Sequence, residues 1–247
     1  ILVPPCILMI VIASIANVSV SALFAAGFIP AVVLALAIMA YISILARRGG
    51  MASSPLPSAR ELGRAFVAAL IPLGVPAIVF GGILGGAVTP TESAVLAVFY
   101  AAIVGLFVYR EIRWAQLPEI IIRSSVVTAT VCFLLGAAGV VAWMLAVEQV
   151  PAALVNLMTA VPGGPAVFLL LTAILFIVLG AVLEGLPAVV ILLPTFLPVV
   201  KQLGIDVVHY SIVVVAATGI GIFAPPIGVG LFIACGIANI SVDRVTG

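Results

Sequence analysis

The chain has 247 residues, 66% of them hydrophobic and 7% charged, where a soluble domain carries roughly 25% charged residues. So few polar side chains cannot clothe a soluble fold of this length, which leaves an integral membrane protein. A net charge of +1 gives no broad attraction to nucleic acid, and Cys6, Cys132, Cys235 and the single His209 show no metal-ligand spacing.

The apolar runs are continuous rather than alternating, which excludes a barrel and, in a bilayer, forces helices. In chain order they cover about 6–20, 23–46, 64–80, 93–109, 124–147, 165–183, 186–200, 207–223 and 227–240. Several fall short of the roughly 20 residues that a full crossing needs. The pairs 165–183 with 186–200, and 207–223 with 227–240, are separated by Gly or Pro rather than by a loop. Such pairs suggest re-entrant hairpins or broken helices. Two hydrophilic loops, 47–64 and 110–123, hold four and three of the nine basic residues. Their charge marks the cytoplasmic side, and the two apolar runs between them let one orientation satisfy both. The chain starts at Ile1 inside an apolar run and stops shortly after Asp243-Arg244, and is expected to be part of a longer protein.

Residues 3–20 read VPPCILMIVIASIANVSV and residues 224–242 read APPIGVGLFIACGIANISV. Both carry Pro-Pro, an apolar run, then Ile-Ala-Asn and Ser-Val, an internal repeat. Interrupted helices in corresponding positions of two halves are a pointer to a transporter. A break frees carbonyls on one side and N–H groups on the other, suited to a cation and to a carboxylate. Pro4, Pro5, Pro225, Pro226 and Gly228 are therefore candidate site residues; the plain alternative is a kink that shapes the bundle.

Glu92 follows a glycine-rich stretch with Thr89 and Thr91, and serves an ion site, a helix cap, or both. Glu184, with Gly180 and Gly185, lies where two short runs meet and is either an ion or substrate contact or a solvent-facing turn. Thr218-Gly219 precedes Pro225 by one to two turns, placed for a cation site or for helix packing. Asp206 and His209, after Gly204, read as loop and helix-start residues. The sequence holds no Gly-x-x-x-x-Gly-Lys, His-Glu-x-x-His or Gly-x-Ser-x-Gly pattern, so it is not read as an enzyme, and transport would draw on an ion gradient.

GGILGGAVTPTESAVLAVFYAAIVGLFVYREI at 81–112, LPTFLPVVKQLGIDVVHYSIVVV at 193–215 and APPIGVGLF at 224–232 strongly resemble the large membrane subunit of TRAP (tripartite ATP-independent periplasmic) transporters. The resemblance runs from residue 3 to 241 and matches about the C-terminal 60% of that subunit. It implies an all-α integral membrane fold with inverted structural repeats, broken helices and re-entrant hairpins, of elevator type. It also implies a sodium-coupled importer of an organic acid in the bacterial inner membrane, with no cofactor beyond the coupling ion. The partners would be the lipid bilayer, a small TRAP membrane subunit and a periplasmic solute-binding protein. Sodium would be held by backbone carbonyls near Gly180, Gly219 and Pro225. Residues 1–22 and 165–247 would belong to the mobile transport domain, 23–123 to scaffold or arm helices, and 124–164 to a connecting span. The chain departs from the family's usual Ser, Thr and Asp at Cys6, Ala224 and Glu184. A symporter that needs no binding protein, and an ion channel, are the competing classes.

Overall fold

The computed structural model describes residues 2–49, 57–150, 152–153, 156, 163–183, 185–224, 228–238 and 240; Glu184, Pro225 and Pro226 lie outside them. All regular structure among the described residues is helical. The helices are α1 (Ile7–Ala16), α2 (Val20–Arg48), α3 (Ala59–Leu84), α4 (Pro90–Ile103), α5 (Leu117–Val147), α6 (Gly164–Leu183), α7 (Gly185–Gln202), α8 (Val207–Phe223) and α9 (Val229–Ala238). Helix α4 runs on through a π segment, Val104–Val108, and a 3-10 turn, Trp114–Gln116, leads into α5. Six of these stretches, Val20–Arg48, Ala59–Leu84, Pro90–Val108, Trp114–Val147, Gly164–Val182 and Gly185–Gln202, are long and apolar enough to cross a membrane. The protein is an all-α, multi-pass membrane protein.

Three helix ends depart from the hydropathy reading. The run expected at 6–20 is split: α1 stops at Ala16 because Asn17 turns left-handed (φ 58, ψ 42), and a new helix starts at Val20. Asparagine tolerates this conformation better than most residues. Helix α3 begins at Ala59, inside the stretch expected to be loop, because Ser58 and Glu61 form a reciprocal capping box. Helix α5 likewise starts at Leu117, its first turns carrying a surface Arg123–Glu119 pair at 2.7 Å. Hydropathy tracks lipid contact, and helices continue past it wherever their ends are capped.

The chain divides into two compact units, residues 28–126 and residues 1–27 with 127–247. In the first, α3 packs on α4. Proline at 72 and 76 withholds two amide donors from α3. Tyr100 on α4 crosses Gly74 and donates its hydroxyl to the Ile71 carbonyl at 2.9 Å. A methyl group at 74 would enter the Tyr100 ring. In the second unit, α6 packs most extensively on α8, while α7 contacts α1, α6 and α8. Phe168 stacks on Tyr210 at 5.7 Å between ring centres. Gly180 lies against Thr218 and Gly221. Both residue numbers rise together along the contact, so α6 and α8 run parallel and α7 is the return stroke between them. Phe196 of α7 meets Phe168 and Phe176 of α6 edge-on, each at 6.1 Å, a favoured aromatic geometry.

Candidate functional site

The last turns of α6 and α8 meet at glycine. A Cβ built on Gly180 would stand 3.1 Å from the Thr218 carbonyl oxygen and 3.4 Å from the Gly221 Cα. One on Gly221 would run into the Ile177 carbonyl oxygen and approach the Gly180 Cα to 3.0 Å. Absence of side chains thus brings two backbones into direct contact. Thr218 is fully buried at this crossing, and its methyl faces Gly185, the first residue of α7. Its hydroxyl oxygen has no hydrogen-bond partner among the described residues. Beyond the end of α8, the Ala224 N–H donates to the Gly221 carbonyl at 2.9 Å and the Gly228 N–H to the Ala224 carbonyl at 3.2 Å. Only glycine fits at 228, where a Cβ would meet the carbonyl oxygens of Ala224 and Ile222.

A cavity of about 600 Å³ opens beside this crossing. Its wall includes Pro5, Cys6, Ile7 and Leu8 from the start of α1, and Gly185, Leu186 and Pro187 from the start of α7. Residues Val127 to Leu134 of α5 and Ile222 of α8 close the other sides. No side chain caps the first turn of α1 at Cys6, and first-turn N–H groups have no acceptor within their own helix. Two helix N-termini therefore present their positive ends to the cavity, while the C-terminal, negative ends of α6 and α8 lie side by side at Thr218.

Of the residues singled out in the sequence, Gly180 and Thr218 meet at the helix crossing, Gly219 follows Thr218 in α8 with no contact shown to α6, and Gly228 lies just beyond the end of α8. Pro5 lines the cavity with Gly185, and Pro4, joined to it by a cis peptide, is buried. Glu184, Pro225 and Pro226 lie outside the described residues. Thr89, Thr91 and Glu92 belong to the other unit and are exposed. There the Thr89 N–H and hydroxyl donate to the Glu92 carboxylate at 2.8 and 2.9 Å, and the Glu92 N–H donates to Thr89 Oγ1 at 3.3 Å. With Pro90 at the first helical position, this is a complete capping box. Thr89→Ala is expected to cost about 1 kcal/mol of stability, and melting curves of the variant beside the native protein check it.

Asp206 accepts from the His209 N–H at 2.8 Å as the N-cap of α8, after a left-handed Gly204 at φ 68. Among the described residues no group of three or more His, Cys, Asp or Glu could hold a metal ion. Sequence reading missed Gly221 and the α5 wall of the cavity. The run Thr218-Gly-Ile-Gly221 carried a signal for Gly221, since Thr218 and Gly221, three apart, lie on one helix face and fit a close approach. The α5 wall had none, because apolar residues occupy every face of α5 and no single stripe marks the buried side.

Short helices such as α1 and α8 standing among full-length spans, with N-terminal and C-terminal helix ends brought together around a cavity, are the construction of a membrane permease; the runs 165–183 and 186–200, expected to fall short of a crossing, form α6 and α7, each long enough to span. The sequence from residue 1 to 247 matches the family described as "Tripartite ATP-independent periplasmic transporter, DctM component". The chain belongs to that family, whose members are transport proteins rather than enzymes. It is 36% identical over 239 residues to the C4-dicarboxylate TRAP transporter large permease protein DctM of Pseudomonas aeruginosa, covering 97% of this chain and 56% of that one. It is 34% identical over 245 residues to the sialic acid TRAP transporter permease protein SiaT of Haemophilus influenzae, covering 99% and 40%. It is 30% identical over 242 residues to the 2,3-diketo-L-gulonate TRAP transporter large permease protein YiaN of Escherichia coli, covering 98% and 57%. The chain thus spans roughly half the length of these relatives.

Proposed function

We propose that this chain forms part of the large membrane subunit of a sodium-coupled TRAP-type importer of an organic acid, in the bacterial inner membrane. The observation that carries the reading is the pairing of opposite helix ends. The C-termini of α6 and α8 meet at the buried Thr218 hydroxyl, beside a cavity that receives the N-termini of α1 and α7. Sodium would be held at the first by carbonyls near Gly180 and Gly219, with Pro225 contributing, and a carboxylate at the second. Two relatives are named for acids, sialic acid and 2,3-diketo-L-gulonate, and another for C4-dicarboxylates. A small membrane subunit and a periplasmic solute-binding protein would complete the system. Movement would be of the elevator kind, with the unit containing α6 to α9 carrying the substrate past the arm helices of residues 28–126.

Uptake of a radiolabelled organic-acid panel into proteoliposomes tests the reading, using the full-length protein and its small partner. Each acid is run with and without an inward sodium gradient, and with and without the binding protein. Uptake that requires both is the expected result. Sodium-driven uptake indifferent to the binding protein would assign the chain to a lone symporter, and flux that neither saturates nor needs sodium would make it a channel.

A further inference from the structure

We infer that the connection between α4 and α5 is a binding site for the headgroup of an anionic phospholipid, its phosphate held by Arg110 and Arg113 beside the ring of Trp114. The site lies within the unit of residues 28–126 and is independent of the transported acid and the coupling ion. The stretches Pro90–Val108 and Trp114–Val147 are each long and apolar enough to span, and residues 109–113 alone separate them. So short a connection stays at the bilayer surface, at the depth of the lipid headgroups.

The corner is folded rather than loose. Helix α4 ends in its π segment, where the Tyr109 N–H donates to the Val104 carbonyl at 2.9 Å, and the chain doubles back until the Ile112 N–H reaches the Gly105 carbonyl at 3.2 Å. Ile112 lies over Gly105, where a Cβ would meet its side chain. The reversal is made at Arg110, left-handed at φ 55, a conformation that glycine or asparagine adopts at less cost. The Arg110 Nε donates to the Phe107 carbonyl at 3.4 Å, one of the carbonyls that a helix end leaves without a partner in its own helix. The Phe107 ring meets Trp114 edge-on at 6.2 Å. Phe107 thus fixes a guanidinium through its backbone and an indole through its ring.

Capping the helix end takes one of the five donors of Arg110. The terminal nitrogens form the fork that matches two oxygens of a phosphate. Arg110, Arg113 and Trp114 are exposed, Trp114 by 67%, and an indole with arginines at this depth is the pattern of a side-chain cluster that meets headgroups. Glu111, the acid of the connection, lines a separate recess with Gln116 and the Arg123–Glu119 pair, a lining that neither Arg110 nor Arg113 shares. A zwitterionic headgroup would bring its own ammonium up to two arginines, whereas phosphatidylglycerol brings none.

Trp114 supplies the readout. In the full-length protein with its small partner, every other tryptophan, Trp143 included, is replaced by phenylalanine. The protein is reconstituted in phosphatidylcholine with a rising fraction of phosphatidylglycerol brominated on its acyl chains, and in the reciprocal mixture. Bromine quenches an indole that it touches, so the two series give the relative affinity of the lipids. A preference of about tenfold or more for phosphatidylglycerol is expected, since each arginine near the surface contributes about a fivefold attraction. Arg110→Gln and Arg113→Gln should each lower it about fivefold, and the second serves alone if the first disturbs the turn. Arg110→Lys should keep part of it, because an ammonium lacks the fork. Arg123→Gln, which removes a guanidinium already paired with Glu119, should leave it unchanged. Equal quenching by the two lipids overturns the site. A preference that survives both glutamine variants, or falls equally with Arg123→Gln, belongs to the general surface charge and overturns it too. Loss of the preference when inorganic phosphate replaces chloride at equal ionic strength would give the corner to a soluble phosphate in place of a lipid.

Discussion

Gly221→Ala is expected to destabilise the protein and abolish transport, while Gly236→Ala in α9 leaves both unchanged. The two substitutions are chemically identical, and each gains about 1 kcal/mol of helix propensity. At Gly236 nothing lies within 4 Å of the new methyl, so the gain meets no opposing term and the net effect stays within about 0.5 kcal/mol or is favourable. At Gly221 the methyl meets the Ile177 carbonyl oxygen, the Gly180 Cα at 3.0 Å and the Ala181 nitrogen at 3.1 Å. All three are backbone atoms of another helix and cannot rotate away. Overpacking of this kind costs typically 1–3 kcal/mol or more, which exceeds the propensity gain. Forcing α6 and α8 apart also displaces Gly180 from Thr218, the place proposed for the cation. Thermal melts in detergent and sodium-driven uptake, on both variants in parallel, check the contrast. Equal melting temperatures would mean that the two helices do not touch at Gly221.

Thr218→Val should raise stability in the absence of sodium and at the same time weaken sodium binding. Valine matches threonine in shape and replaces the hydroxyl by a methyl. In the native chain that hydroxyl is fully buried without a hydrogen-bond partner among the described residues, and a buried hydroxyl left unpaired costs about 1–3 kcal/mol. Removing it relieves the cost. If the oxygen serves as a sodium ligand, the same change removes one of the ion's contacts, and half-saturation by sodium rises about tenfold, the equivalent of roughly 1.4 kcal/mol. A ligand that binds only the folded state raises its melting temperature. The native protein should therefore melt higher in NaCl than in choline chloride, and the valine variant should lose most of that difference. A structural threonine predicts the first effect alone. Preservation of the sodium-dependent shift in the variant would remove Thr218 from the ion site.

Much of this architecture is legible along the chain because helix ends are written in local chemistry. Thr89-Pro90-Thr91-Glu92 and Asp206 each mark a start, and the structure has caps at both. Ser58-Ala-Arg-Glu61 carries the same signature, but its polar composition reads as loop until the cap is seen to begin α3. The first Ile-Ala-Asn marks the end of α1, where Asn17 turns left-handed; in the second, Asn239 lies outside the described residues. Which helix touches which is another matter. In water an amphipathic stripe shows the buried face, but helices in lipid are apolar all round, so α6 and α5 carry no stripe to read. The parallel pairing of α6 with α8, the meeting of Gly180 with Gly221 and the α5 wall of the cavity belong to three-dimensional packing. Only glycine spacing hints at any of it.

The parallel pairing has a consequence for biogenesis. Two parallel helices cannot be joined by a tight turn, so the partner that fills the notch at Gly180 emerges from the ribosome only after α7 and the Asp206 turn have been made. Until then the glycine face of α6 has no helix to close on it. The hairpin of α6 and α7 can insert early, but its junction must settle late, when α8 arrives. A ribosome stalled after Gln202 would hold an inserted and unfinished hairpin, and the slow step in maturation would be the docking of α8 rather than entry into the membrane.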